Sequence, residues 1–273
     1  MRLRVASFLP PANSNRSSLA KRSMKRIVFS ILALTLPVFA QPWRTGYYYQ
    51  PGTGTLPISA VPFSKYTHVI EYAMLPTPSG NTCGIDVNTY AIAANADKFI
   101  STAHASGTKA LVSMLNDSAA TAMKSCTSSA HLSQFVSVIA NFINQHKYDG
   151  FDIDWEGGVV DSQYQQFILS LRSAMPNKIL TVATVWNQRN VISQVQDSLD
   201  QINLMNYDDD AGLVSGNWAT TTIYNSALYQ GPDSDWQTAD AMIYYNVSQA
   251  GISPSKIGLG IPFYGRIKRG CRS

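Results

Sequence analysis

Asp149-Gly150-Phe151-Asp152-Ile153-Asp154-Trp155-Glu156 alternates apolar and acidic residues without a break from Phe151 onward. Successive side chains of a β-strand point to opposite faces. Phe151, Ile153 and Trp155 therefore share one face, and Asp152, Asp154 and Glu156 the other. Alternation of this kind ordinarily sets a core face against a wet one. Here the polar face carries three carboxylates, each about 7 Å from the next along the strand. Like charges at that spacing raise one another's proton affinity, so the three do not all ionise near their ordinary values. Stability gives no reason for such a row. A site in which an acid must keep its proton near neutral pH does.

Outward from this octapeptide, strand-like and helix-like stretches alternate from Trp43 on, the signature of βα units around a parallel sheet. Strands are predicted at about 44–49, 67–74, 109–115, 150–155, 179–185, 201–207 and 256–263. Helices are predicted over Asn88–Ala105, Ala130–His146, Asp161–Ala174, Asn190–Leu199 and Ser234–Ala250. Ser133, Val136, Ile139, Ala140 and Ile143 show the helical period, with the apolar members on one face. Gly150 fits a tight turn from that helix into the fourth strand. These units predict an α/β fold, a (β/α)8 TIM barrel with its eighth βα unit missing or incomplete. An open, doubly wound sheet is the alternative. In a barrel the chemistry sits at the C-terminal ends of the strands. Asp154 and Glu156 end the fourth strand, and Met205, Tyr207 and Asp208 the sixth. Cys83 and Cys126 follow the second and third strands, in adjacent loops on that same face. A disulfide there is reasonable if their Cα atoms lie within about 7 Å.

The chain has 273 residues, of which 1–40 read as a leader. Met24-Lys25-Arg26 is a basic start, Ile27 to Leu36 an apolar run, and Val38-Phe39-Ala40 a small-residue cleavage pattern, together a secretory signal. Met24 is the expected true start. An apolar helix of that length spans about 15 Å, half the bilayer core, so a membrane span is disfavoured. Seven of the 21 basic residues and none of the 17 acidic ones lie in the leader. Trimming it turns a net charge of +4 into a slightly negative one, which removes the electrostatic motive for binding nucleic acid. The expectation is a secreted, extracellular or periplasmic monomer of one large domain, 41–266, that handles a neutral polymer. No Cys-x-x-Cys or His-x-x-x-His spacing occurs, so no metal is implied, and no cofactor is called for.

Asp149, Asp152, Asp154 and Glu156 together resemble the D-x-x-D-x-D-x-E signature of glycoside hydrolase family 18, the chitinases and their relatives. Gly46-Tyr47-Tyr48 is similar to that family's first strand, Met205-Asn206-Tyr207-Asp208 to its sixth, and Gly260-Ile261-Pro262-Phe263-Tyr264-Gly265-Arg266 to its seventh. The resemblance runs from about Trp43 to Arg266. It implies a retaining reaction in which the sugar's own N-acetyl group, not a second carboxylate, is the nucleophile. Glu156 would be the general acid, Asp154 would orient the acetamido group, and Asp152 would share a proton with Asp154. Tyr207 would hydrogen-bond the acetamido oxygen. Tyr47 and Ser113 would support the carboxylates, while Trp155, Met205, Asp208, Tyr264 and Arg266 would line the substrate cleft. The implied substrates are β-1,4-linked N-acetylglucosamine polymers. A sugar-binding protein without catalysis is the competing reading, and related linkages in glycoprotein glycans or peptidoglycan a third.

Two segments depart from the family pattern. Its third strand usually ends Ser-x-Gly-Gly, where this chain reads Ser113-Met114-Leu115-Asn116. Its eighth strand, with a Trp that floors the sugar site, has no counterpart past Arg266, where 267–273 reads as an aberrant tail. An unclosed barrel exposes two strand edges. Each buried polar group left unpaired costs about 1–3 kcal/mol, against a domain stability of about 5–15 kcal/mol. Poor stability of the isolated product, or a truncated reading frame, is the corresponding expectation.

Plainer readings attach to several residues. An acidic row can be a solvated face or a calcium site, although the looped Asp-x-Asp-x-Asp-Gly pattern is absent. His68, His104, His131 and His146 are scattered and read as surface or capping residues. Gly258-Leu259-Gly260 lacks the third glycine of a dinucleotide fingerprint. Trp186, Trp218 and Trp236 can stack on sugars or simply anchor loops.

Overall fold

The computed structural model describes residues 42–49, 56–116, 121–208, 225–229 and 238–264. The leader, Trp218, Trp236, Arg266 and the tail lie outside the described residues. In chain order the elements begin with β1 (Thr45–Tyr49), β2 (His68–Ser79), β3 (Thr82–Asp86), α1 (Ile92–Ala105), β4 (Lys109–Leu115) and α2 (Thr121–Cys126). They continue with α3 (Leu132–His146), β5 (Gly150–Asp154), α4 (Asp161–Ala174), β6 (Ile179–Thr184) and α5 (Arg189–Val195). β7 (Gln201–Leu204), α6 (Ala239–Ile243) and β8 (Ile257–Leu259) complete the set. Parallel neighbours run β1-β2-β4-β5-β6-β7-β8, and β3 folds back antiparallel on β2. Spatial order thus repeats chain order. That is how a (β/α)8 barrel is built, whereas a doubly wound sheet reverses direction at a switch point. Among the described residues no strand joins β8 to β1, so the barrel that they form is incomplete.

The apolar face of the octapeptide makes the outer core. Phe151, Ile153 and Trp155 are fully buried and share one cluster with Phe135, Ile139 and Ile143 of α3. The Trp155 ring meets Tyr164 of α4 edge-on at 5.5 Å, and Phe135 stacks on Phe167 of α4 at 5.6 Å. Each large apolar side chain so buried contributes about 1.5–3 kcal/mol. α3 buries Val136, Ile139, Ala140 and Ile143 of the predicted stripe and Phe135 beside them, and leaves Ser133 exposed. Lys147, not Gly150, makes the turn out of α3, in the left-handed conformation at φ 65°. Gly150 is needed for a different reason. A Cβ there would lie 2.2 Å from the Ile179 carbonyl oxygen, so only glycine lets β5 and β6 approach.

Asp149 sits at the opposite end of the strand from the other acids. Its carboxylate accepts hydrogen bonds from the Ala110 amide at 2.9 Å and Lys109 Nζ at 2.8 Å, and meets His104 Nε2 at 2.7 Å. Burial pushes this carboxyl up, but those donors outweigh it and hold Asp149 below the ordinary range. Asp149 is a tie at the closed end of the sheet.

Several boundaries differ from the sequence reading. β2 runs on through Pro76 and Pro78 to pair with β3, a hairpin the prolines concealed. Residues 88–91 form a turn, because the Asp86 carboxylate accepts from the Asn88 and Thr89 amides and the Thr89 hydroxyl. α5 stops at Val195. α6 continues into a π-helical turn over Tyr244–Gln249. β7 and β8 are shorter than predicted, so Met205 to Asp208 and Gly260 to Tyr264 follow the strands rather than lie in them. Cys83 and Cys126 are joined, with Cα atoms 5.3 Å apart. Cys83 stands within β3 and Cys126 ends α2, so the bond links two ordered elements. Of the histidines, His68 is buried and stacked on Trp43 at 3.7 Å, a core role where a surface or capping one was expected.

Candidate active site

The polar face of β5 opens into the barrel. Register places Ser113 of β4 on one side of Asp152 and Thr181 of β6 on the other. Ser113 Oγ donates to Asp152 Oδ2 at 2.8 Å, and the Thr181 hydroxyl donates to Oδ1. The Tyr47 hydroxyl reaches both oxygens at 3.3 Å and itself accepts from Asn203 Nδ2. A fully buried carboxyl is thus held by hydroxyls from three strands. Burial pushes Asp152 up to about 6, and those three hydroxyls act in the opposite direction.

Asp154 is 4% exposed. The Tyr72 hydroxyl of β2 donates to its Oδ2 at 2.8 Å, while Oδ1 is buried with no partner. Burial first, then the charges of Glu156 and Asp152, push Asp154 up to about 8. No hydrogen bond joins Asp152 to Asp154. The charge of Asp152 nonetheless raises the proton affinity of Asp154.

Glu156 lies just beyond β5, exposed at the mouth. Its proton affinity is raised by desolvation and then by the charge of Asp208. Asp154 on its own strand interacts with it as well, since the Glu156 charge raises Asp154 and the effect is mutual. Its backbone is clamped. Gln188 Nε2 donates to the Trp155 carbonyl at 2.5 Å and weakly to that of Glu156 at 3.4 Å, with Thr184 Oγ1 orienting the Gln188 amide at 2.7 Å. One residue on, the Gly157 carbonyl accepts from the Trp155 indole at 2.9 Å and from Asn116 Nδ2 at 3.3 Å. Asn116, standing where the family pattern has glycine, therefore braces the loop that carries the acid.

A cavity of about 270 Å³ forms over these groups. Tyr47 and Tyr49 of β1, Tyr72 of β2, Ala183 of β6 and Met205, Tyr207 and Asp208 after β7 wall it, with Asp154 and Glu156 among them. A larger, open groove of about 950 Å³ runs along α3 and α4 but is lined by no charged side chain. Among the described residues no cluster of His, Cys, Asp or Glu could hold a metal ion, and no helix is long and apolar enough to cross a membrane.

Of the predicted site residues, Asp152, Asp154, Glu156, Tyr47, Ser113, Met205, Tyr207 and Asp208 converge here. Tyr264 stands outside the cavity, its ring edge-on to Tyr207 at 6.4 Å. Trp155 does not line the cleft. It points to the helix layer because strand alternation puts it with Phe151 and Ile153, and it acts on the site through its indole hydrogen bond. Trp186 lies under the Arg189 guanidinium, 5.3 Å from its ring centre. Tyr49, Tyr72, Thr181, Gln188 and Asn203 were not foreseen. Tyr72 carried one readable signal, an even spacing from Ile70 in the second predicted strand. The close passage of Gly260 is also decisive, since a Cβ there would fall 2.7 Å from both the Leu204 carbonyl oxygen and the Tyr207 ring.

Stacked carboxyls, a buried one anchoring and an exposed one of raised proton affinity at the mouth of a parallel barrel, fit a chitinase-like glycoside hydrolase site. The chain belongs to that class by family: the glycosyl hydrolases family 18 profile matches residues 44–271. It is similar to an endochitinase of Manduca sexta, 24% identical over 250 residues that cover 80% of this chain and 43% of the relative. The chain spans less than half the length of the curated relatives it matches. Among solved structures it resembles a class V chitinase from Nicotiana tobaccum in complex with NAG4. That match has TM-score 0.67 at 20% identity and covers 82% of this chain and 67% of the other. It also resembles a chitinase-like agglutinin from Robinia pseudoacacia, with TM-score 0.65 at 23% identity, covering 80% and 69%. At these identities the structural likeness is one of fold.

Proposed function

We propose that the chain hydrolyses β-1,4 links between N-acetylglucosamine units, with retention, by a substrate-assisted route. The observation that carries this reading is Asp154 Oδ1, a buried acceptor without a partner on the wall of the cavity. A buried acceptor left unmade is costly, and an acetamido N–H supplies the missing donor. With that N–H held, the acetamido carbonyl oxygen attacks the anomeric carbon as its bond to the leaving oxygen breaks. Glu156 gives its proton to that leaving oxygen. The negative charge at Asp154 stabilises the resulting oxazolinium ion, and the Tyr207 hydroxyl supports the acetamido oxygen. Water then adds to the anomeric carbon, returns its proton to Glu156 and restores the acetamide. Raised proton affinity at Glu156 suits this duty. Chitin and its oligosaccharides are the substrates this requirement selects. The disulfide supports export to an oxidising compartment.

Glu156→Gln keeps the shape and removes the acid. With a fluorogenic chito-oligosaccharide, the variant should lose turnover on the order of a hundred- to ten-thousand-fold while retaining sugar binding. Binding without turnover in the native protein as well would make it a lectin-like sugar binder instead.

A further inference from the structure

The second strand contributes an aromatic residue that the carboxylate row does not explain. Where the β2–β4 register shifts between Glu71 and Met74, Tyr72 turns into the cavity, and such irregularities in a ladder commonly re-aim a side chain beside an active site. Its ring is fixed by Tyr47, edge-on at 6.3 Å, and by Tyr49, tilted at 5.9 Å. Its hydroxyl lies 2.8 Å from Asp154 Oδ2.

We propose that Tyr72 is a positioning residue for this reaction: by donating to Oδ2 it fixes the Asp154 carboxyl and turns the unpartnered Oδ1 toward the substrate's acetamido N–H. This deepens the chitinolytic reading and rests on it. The same hydrogen bond also favours the ionised carboxylate that the oxazolinium ion needs. The groups facing Asp154 are Asp152 on its own strand, Glu156 beyond it, Tyr47 from β1, Tyr207 after β7 and Tyr164 from α4, with Asp208 acting on Glu156. Burial, Glu156 and Asp152 all push Asp154 toward its neutral form, and the Tyr72 hydroxyl is the opposing influence. That opposition is partial, for Asp154 is still pushed up to about 8, and without the Tyr72 hydroxyl it would hold its proton more tightly.

The test is Tyr72→Phe, which removes a single oxygen, followed as kcat/KM against pH with a fluorogenic chito-oligosaccharide. The acid limb should move up by about one pH unit, the loss of a hydrogen bond to a charged group. Above the shifted acid limb and below the alkaline one, the rate should return to within a few-fold of the native enzyme. An unchanged profile would overturn the proposal. Equilibrium binding keeps it decidable apart from turnover. Chitotetraose should bind about tenfold more weakly to Tyr72→Phe, while its fully deacetylated counterpart should bind unchanged. In an Asp154→Asn background the same substitution should have no further effect on chitotetraose. Equal weakening in both backgrounds would mark Tyr72 as merely structural. Should the native protein turn over nothing, the functional reading fails, and these binding differences still decide the role of Tyr72.

Discussion

Asp152 and Glu156 are both carboxylic acids on one strand face, four positions apart, yet they do opposite work. Asp152 is enclosed by Ser113, Thr181 and Tyr47, so its oxygens are occupied and its role is to anchor. Glu156 has an open approach and a backbone fixed by Gln188, so it can meet a substrate atom. Environment assigns the roles, as it does wherever identical groups divide acid from support. A consequence follows for Asp208. Its negative charge raises the proton affinity of Glu156, so Asp208→Asn should lower it. The alkaline limb of kcat/KM should then move to lower pH, and an unmoved limb would show that Asp208 does not act on the acid.

At the scale of elements, the row of acids was readable because a period of two is local to one strand. Its helper residues were not. Thr181 meets Asp152, and Tyr72 meets Asp154, only through the register of separate strands, which long-range pairing sets. Gln188 reaches the acid's backbone from a turn after β6, at a separation that no periodicity reveals. Pro76 and Pro78 made β2 look finished, although Gly80, at φ 57°, marks the turn of the β2–β3 hairpin. That hairpin is tied to α2 by the Cys83–Cys126 bond across 43 residues of sequence. A loop of that size corresponds to about 4 kcal/mol in the chain-entropy description. Replacing both cysteines by alanine should lower the denaturation midpoint accordingly, and adding a reductant to the native protein should do the same. Equal midpoints with and without reductant would count against a stabilising tie.

The whole molecule is built around buried ionisable groups, and its stability should follow pH in a way the helix-layer core would not predict. Glu71, on the outer face of β2, is fully buried, with Oε2 accepting from the Tyr148 hydroxyl at 2.5 Å and Oε1 unpartnered. Burial raises it from its ordinary 4.5 to about 7. A raised carboxyl contributes stability that is complete below its unfolded value and is lost as pH rises through the folded one. For Glu71 that loss is on the order of 3 kcal/mol, centred between pH 4.5 and 7. His68 acts oppositely. Burial lowers it from 6.5 to about 4, so its share of stability is lost as pH falls through that window. Asp149, held low by Lys109, Ala110 and His104, likewise loses its share as the solution turns acid. Glu71→Gln isolates the first of these contributions. Compared with the native protein, it should melt at a similar temperature near pH 4.5 and at a higher one by pH 8. Parallel melting curves across that range would remove Glu71 from the account.

Gly260 carries a hydrogen where any other amino acid carries carbon, and both the phenol of Tyr207 and the end of β7 press into that vacancy. Genetic drift at this codon has nowhere to go. Even the smallest enlargement must shove aside either the Tyr207 ring on the cavity wall or the backbone at the end of β7. The cavity is therefore vulnerable at a position encoding no reactive group at all.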